Sequence, residues 1–342
     1  MYCHIPFCDS KCHYCAFNSF THNHHLKSEY MDALLRQLRS ELERKSPQKL
    51  QSIFIGGGTP STIDAHLYEP LFELLKPLVD EETEITFEAN PNSASYEWLK
   101  KIKELGATRV SFGVQSFDER KLKFLGRAHT PSQAIQAIEN AQKTGFEHIN
   151  LDIIYDTAID TKKLLQYDIA QALALPIDHI SAYALTIEEN TPFAKSPQAA
   201  ANKEEYGYLV KELITLPQYE VSNFGNYRCR HNIGYWELLP YIGVGCGAVG
   251  FDGKSRYYPP NDLHSYIQNP LSIRQERLSP EDLRLERLFL GLRSVVGVER
   301  SLCDEKKAQI LLDEGKLIQK GDRLYNPNFF LADELALYLL AD

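Results

Sequence analysis

No apolar run in this 342-residue chain approaches the ~18 residues needed to cross a bilayer, so an integral membrane protein is not expected. Low-complexity tracts and strict internal repeats are missing as well, which excludes a disordered linker or a repeat array. An excess of positive charge is also lacking. Lys and Arg number 37 against 46 Asp and Glu, a net charge of -9, which argues against a large phosphate-binding surface and a nucleic-acid partner. No cleavable apolar leader precedes Cys3, and free thiols without a leader lead to the expectation of a reducing cytoplasm. What is present is ordinary for a globular protein: 43% hydrophobic and 24% charged residues, at a length that admits one large α/β barrel or two domains.

Thiols are scarce except at one end. Cys3, Cys8, Cys12 and Cys15 are crowded into the first 15 residues, whereas Cys229, Cys246 and Cys303 are scattered downstream. From Cys8 the spacing is C-x3-C-x2-C. A disulfide framework belongs to short secreted chains. Zinc would ask for a full set of four ligands, and His4 and His13 keep that reading open. An iron–sulfur cluster takes thiolates by nature, and four irons normally take four cysteines. Three cysteines leave one iron open, and an open position separates a reactive metal site from a structural one.

Short apolar runs recur at Ser52–Ile55, Ile85–Ala89, Arg109–Val114, His148–Ile154 and His179–Leu185, with an opening strand expected at Tyr2–Ile5. Between them lie stretches of helical period at Ser28–Lys45, Leu67–Leu78, Ser132–Lys143, Lys162–Leu173 and Lys203–Thr215. This alternation predicts βαβ units around a parallel sheet. About six units suit a partial (β/α)6 barrel of the TIM type, with an open doubly wound sheet as the alternative, and barrel sites sit at the C-terminal ends of strands. From Ser279, an N-cap candidate, a second unit is expected: helices around a strand pair turning at Gly321-Asp322. It is not strongly basic, so packing on the barrel is expected rather than DNA binding. Expected boundaries are 1–225 for the barrel, 226–277 for a connection and 278–342 for the C-terminal unit.

Polar groups stand at the ends of these runs. Gly56 to Gly58 can bring bare backbone close to a ligand, although a glycine triplet alone also suits a tight turn. Glu88, Gln115, Arg127 and Asp152 follow or interrupt apolar segments, where a charge is costly unless paired. Together they point to a polar small-molecule site.

In order, "YCHIPFCDSKCHYCAF", "FIGGGTPS", "FEANP", "RVSFGVQSF", "GRAH" and "NLDIIY" resemble the signatures of the radical S-adenosylmethionine (SAM) enzymes. More narrowly, they resemble the branch containing oxygen-independent coproporphyrinogen III oxidase, and the likeness runs over nearly the whole chain. It implies a [4Fe-4S] cluster on Cys8, Cys12 and Cys15. SAM would chelate the open iron, and an electron from an outside donor would yield a 5′-deoxyadenosyl radical. By the same resemblance Tyr2, Tyr14, Gly57, Gly58, Thr59, Glu88, Gln115, Arg127 and Asp152 would contact SAM. Arg127 suits a carboxylate because its planar fork pairs bidentately.

Two features divide the branch. The oxidase carries a further cysteine two residues past the third, and here that position is Phe17. "CRHNIGYW", Cys229 to Trp236, contains H-N-x-x-Y-W, which resembles the signature of the branch's heme-binding chaperone members. Imidazole from His231 is a competent ligand to heme iron, and Cys229 is a rival. The resemblance thus implies a cytoplasmic heme carrier. It would serve acceptor hemoproteins such as respiratory enzymes, with transient membrane contact only through an acceptor. Radical decarboxylation of coproporphyrinogen III is the alternative, and a zinc-stabilised regulator the third reading. The chain departs from the family text at Cys3, at Cys246 and at "YDTAID", Tyr155 to Asp160, which replaces a glycine-rich ending.

Overall fold

The computed structural model describes residues 1–340. Six strands run parallel in sequential order: β1 (Tyr2–Ile5), β2 (Ser52–Gly57), β3 (Glu84–Ala89), β4 (Arg109–Gln115), β5 (His148–Tyr155) and β6 (His179–Ala184). Antiparallel β7 (Asn223–Gly225) extends the β6 edge, and β8 (Gly243–Val244) lies parallel to β1 at the other. A doubly wound sheet reverses its strand order at a switch point. This one never does, and it is the partial barrel that the repeated units predict.

The strands alternate strictly. Ile85, Phe87, Val110, Phe112, Ile149 and Leu151 belong to the main core. Their neighbours Glu84, Thr86, Arg109, Ser111, Asn150 and Asp152 fall on the opposite face. Strands point successive side chains to opposite sides, so the apolar set packs outward on helices and the polar set fills the barrel. The helices are α1 (Lys27–Lys45), α2 (Glu69–Leu75), α3 (Tyr96–Glu104), α4 (Glu119–Leu125), α5 (Pro131–Lys143), α6 (Lys162–Leu173) and α7 (Glu204–Leu213). In α1 the buried residues Tyr30, Met31, Leu34 and Leu38 form one apolar stripe. Thr130 and Gln133 close a capping box at the start of α5, and Ser95 caps α3.

α8 (Arg230–Trp236) closes the N-terminal end of the barrel. β9 (Gly250–Phe251), β10 (Ser255–Tyr258), α9 (Leu263–Gln268) and β11 (Arg274–Arg277) follow. α10 (Pro280–Leu292) starts from Ser279, which forms a capping box with Asp282. β12 (Val298–Glu299), α11 (Glu305–Asp313), β13 (Ile318–Lys320), β14 (Arg323–Tyr325) and α12 (Ala332–Leu340) complete a unit with a core of its own, including Leu288, Leu292, Leu311, Leu324 and Leu335. It is fastened to the barrel by backbone bonds from Val221 to Arg293 (2.9 Å) and from Val295 to Tyr219 (2.9 Å), and by the Tyr208–Phe330 contact. Among the described residues no helix is long and apolar enough to cross a membrane.

Candidate functional site

The cysteine loop leaves the C-terminal end of β1 and returns upon itself. Cys8 donates its amide to Phe20 O (3.2 Å), and Phe20 N reaches Pro6 O (2.6 Å). Its far side is tied to the end of α4, where His13 N bonds Leu125 O (3.0 Å) and His13 Nδ1 meets Phe124 O (2.8 Å). Gly126 makes that approach possible: its φ is +73°, and a Cβ there would lie 2.9 Å from the His13 ring. Cys8 is buried, while Cys12 and Cys15 are half-buried. Thr59 Oγ1 donates to Cys8 Sγ (3.4 Å) and Arg127 Nη1 to Cys12 Sγ (3.3 Å). Thiolate-like sulfurs accept such bonds well, whereas burial pushes the thiols of Cys8 and Cys15 up in pKa. Among the described residues no three His, Cys, Asp or Glu side chains converge on one ion-sized point. The loop offers a donor set rather than a preformed ion cage.

Beside this loop lie the polar strand ends. Gly57 (φ +114°) donates its amide to Glu88 Oε2 (2.9 Å). A Cβ on Gly58 would press within 2.9 Å of the carbonyls of Phe7 and Ile5. Burial, reinforced by Asp152, pushes the Glu88 carboxyl up to about 7. Burial likewise lifts Asp152 to about 6, against the bond it accepts from Asn150 Nδ2 (2.9 Å). Arg127 Nη2 is held by Asn90 Oδ1 (2.7 Å) and by Gly113 O. Gln115 sits at φ +71°, where the β4–β5 register shifts, and such strain collects at functional sites. Gln115 Oε1 and Arg127 Nε are buried without hydrogen-bond partners among the described residues.

The predicted residues Gly57, Gly58, Thr59, Glu88, Gln115, Arg127 and Asp152 are thus brought together beside the cysteine loop. Tyr14 packs with Leu125 and Phe193 on the same side, and burial pushes its hydroxyl pKa up. Tyr2 begins β1, with its ring deeper, near Phe54 and His231 (6.3 and 6.4 Å between centroids), and its hydroxyl on His4 Nδ1 (2.9 Å). Sequence reasoning missed Asn90, which joins Arg127 to Thr59 Oγ1 (3.2 Å). His4, weighed from the sequence only toward zinc, instead fills with its ring the place of a Gly57 Cβ. The Asn-Pro pair after β3 and the histidine between Cys3 and Cys8 were the available signals.

The site's charges suit a ligand carrying an ammonium, a sulfonium, a carboxylate and ribose hydroxyls. Two acids await cations, a guanidinium and a Gln carbonyl have unspent hydrogen-bonding capacity, and the glycine backbone lies bare. SAM fits this inventory.

His231 lies at the other end of the barrel, far along the strands from this rim. Glu84, at the start of β3, accepts the amides of Arg230 (2.7 Å) and His231 (3.0 Å), which anchors α8 as the barrel floor. His231 is 4% exposed. Its ring stacks on Phe54 (5.0 Å) and meets the edge of Tyr235 (4.7 Å). Nδ1 shares a hydrogen bond with Ser52 Oγ (2.9 Å), while Nε2 is buried with no partner among the described residues. Burial holds its pKa well below the ordinary histidine value, so the imidazole is neutral. Cys229 is fully buried, its thiol donates to Glu84 Oε1 (3.3 Å), and burial pushes it up to about 12. Asn232, Tyr235 and Trp236 are half-buried around the floor.

Residues 2–167 match the radical SAM superfamily. A heme chaperone HemW from Lactococcus lactis subsp. lactis (strain IL1403) is 35% identical over 87% of this chain and 82% of its own. The heme chaperone HemW of Bacillus subtilis (strain 168) is 34% identical over 91% and 87%. Among solved structures, coproporphyrinogen III oxidase (HemN) from Escherichia coli superposes with a TM-score of 0.82. It covers 99% of this chain and 89% of that one at 18% identity, a likeness of fold.

Proposed function

The chain belongs to the radical SAM superfamily and, within it, to the family of heme chaperone HemW, and on that premise we propose that it is a cytoplasmic carrier that binds heme and passes it to acceptor hemoproteins. Cys8, Cys12 and Cys15 would hold a [4Fe-4S] cluster with one iron left for SAM. Glu88 and Asp152 would take the cationic and ribose groups of SAM, and Arg127 its carboxylate. Gly57 and Gly58 would admit its backbone-like end, beside Thr59, Gln115, Tyr14 and Tyr2. When bound, the cluster supplies one electron and SAM the sulfonium that receives it. In this reading residues 1–225 carry that machinery, 226–277 the heme ligand, and 278–342 the unit packed behind it.

One observation carries the chaperone reading: His231 has a neutral ring with Nδ1 fixed by Ser52 and Nε2 left unpartnered. Metal-ligating histidines characteristically have the second nitrogen oriented by such a bond, and an orphaned buried nitrogen calls for an explanation. At 4% exposure, loading requires α8 to shift from the floor. Phe17, 68% exposed in the cysteine loop, offers no thiol at the position the oxidase reserves for one.

After anaerobic cluster reconstitution, heme titration followed by absorption and coproporphyrinogen III conversion are run in parallel. Heme binding without conversion is expected, and His231→Ala is expected to shift or weaken the heme band while iron content and SAM binding persist. Conversion at an enzyme's pace overturns the reading. Loss of heme in Cys229→Ala but not in His231→Ala moves the ligand to the thiol.

A further inference from the structure

A cleft of ≈1090 Å³ opens between α8 and the C-terminal unit, at the large end of small-molecule sites. Five of its lining side chains are cations and three are carboxylates, a local positive excess on a chain whose net charge is -9. Three of the cations are already engaged. Lys49 pairs with Asp80 (2.6 Å) and Glu82 (2.9 Å). Arg230 bonds the carbonyl of Glu82. Arg323 bonds the carbonyls of Val296 (3.0 Å) and Gly297 (2.8 Å). Arg228 and Arg287 are exposed, and neither side chain has a hydrogen bond or ion pair among the described residues. They come from opposite walls, Arg228 from the lead into α8 and Arg287 from α10. Trp236 adds an indole surface at the end of α8. A smaller cleft of ≈380 Å³, lined by His231, shares Lys49, Gln51, Arg230, Gly234 and Leu239 with the large one.

We propose that this cleft takes the carboxylate-bearing edge of the heme, with one propionate on Arg228, the other on Arg287, and the macrocycle laid along Trp236. The proposal rests on the chaperone reading and extends it: the C-terminal unit is then one wall of the cargo site. Guanidinium–carboxylate pairs are the strong, directional ones, and an indole face suits a flat apolar ring.

The test titrates ferric heme and its dimethyl ester, in which both propionates are blocked, into the reconstituted wild type and the double variant Arg228→Gln/Arg287→Gln. Both positions are exposed and unpaired, so circular dichroism and melting should be unchanged. The double variant should bind free heme roughly ten- to a hundredfold more weakly. The ester should bind wild type and variant alike, at the weakened level. Lys143→Gln, at an exposed cation outside both clefts, should bind as wild type does. Equal affinity of wild type and double variant for free heme overturns the cleft alone. Equal affinity of the wild type for heme and ester does the same. A wild type that binds no heme overturns the chaperone reading and this site with it.

Discussion

Glu88 and Asp152 are acids held out of their ordinary range by the place where the strands put them, at about 7 and about 6. Each folded pKa lies above its unfolded value, so ionisation costs the empty protein stability. That cost grows as pH rises from the unfolded values through the folded ones and is constant above them. A bound cation offsets it. SAM affinity should therefore rise from pH 6 to pH 8, read by equilibrium dialysis, and a flat profile would speak against these carboxylates. Glu88→Gln keeps an acceptor for the Gly57 amide but carries no charge. It should stabilise the empty protein at pH 8 by on the order of 2 kcal/mol in urea unfolding, by less at pH 5, and should bind SAM more weakly. The thiols differ by position in the same way. Cys3 is fully buried in the outward core, so Cys3→Ala should keep the brown chromophore. Replacing Cys8, Cys12 and Cys15 together should abolish it, as iron and sulfide analysis would show.

At the scale of elements, the rim depends on a buried ion pair in α4. Lys121 Nζ, with no solvent exposure, lies 2.7 Å from Asp160 Oδ1 and 3.1 Å from Asp168 Oδ2. Asp168 on α6 also accepts Ser116 Oγ (2.8 Å) and Phe117 N (2.7 Å), which holds the corner just after Gln115. Asp160 belongs to the departing "YDTAID" stretch and accepts the Thr157 amide (2.8 Å). The departure thus supplies a counter-charge and a folded turn. Removing one partner of a buried pair strands the others, which costs about 3–5 kcal/mol. Lys121→Met should lose that much in denaturant unfolding and should weaken SAM binding, because Arg127 follows α4 directly. Unchanged stability would show that the carboxylates find other partners.

Over the whole molecule, the two proposed sites lie at opposite ends of one barrel. The floor rests on Glu84, Ser52 and the C-terminal unit, none of which touches the cysteine loop. Tyr2, whose ring lies 6.4 Å from that of His231, is the one side chain placed at both sites, and sites this far apart otherwise behave independently. The triple cysteine variant should therefore titrate heme as the wild type does, and a large loss of heme affinity would reveal coupling through Tyr2 and His4.

About six βα units, the capped start at Ser279 and the turn at Gly321 were legible because each is written in local sequence: short apolar runs, helical stripes, a cap residue, a glycine with φ +63°. The C-x3-C-x2-C run, the glycine triplet and the H-N-x-x-Y-W segment were legible as motifs for the same reason. The helices α3 and α4 are not among the stretches read from spacing, although Ser95 and Asp118 cap them and Trp98, Leu99 and Ile102 share one buried face of α3. Only the tertiary structure could decide what long-range packing sets. It put Glu88 beside Asp152 and raised both, bent Gln115 to a positive φ at a register shift, and joined Lys121 to acids from two other segments. It placed the His231 helix beneath the barrel rather than at its mouth, because Glu84, almost 150 residues earlier, presents the carboxylate that receives its first amides.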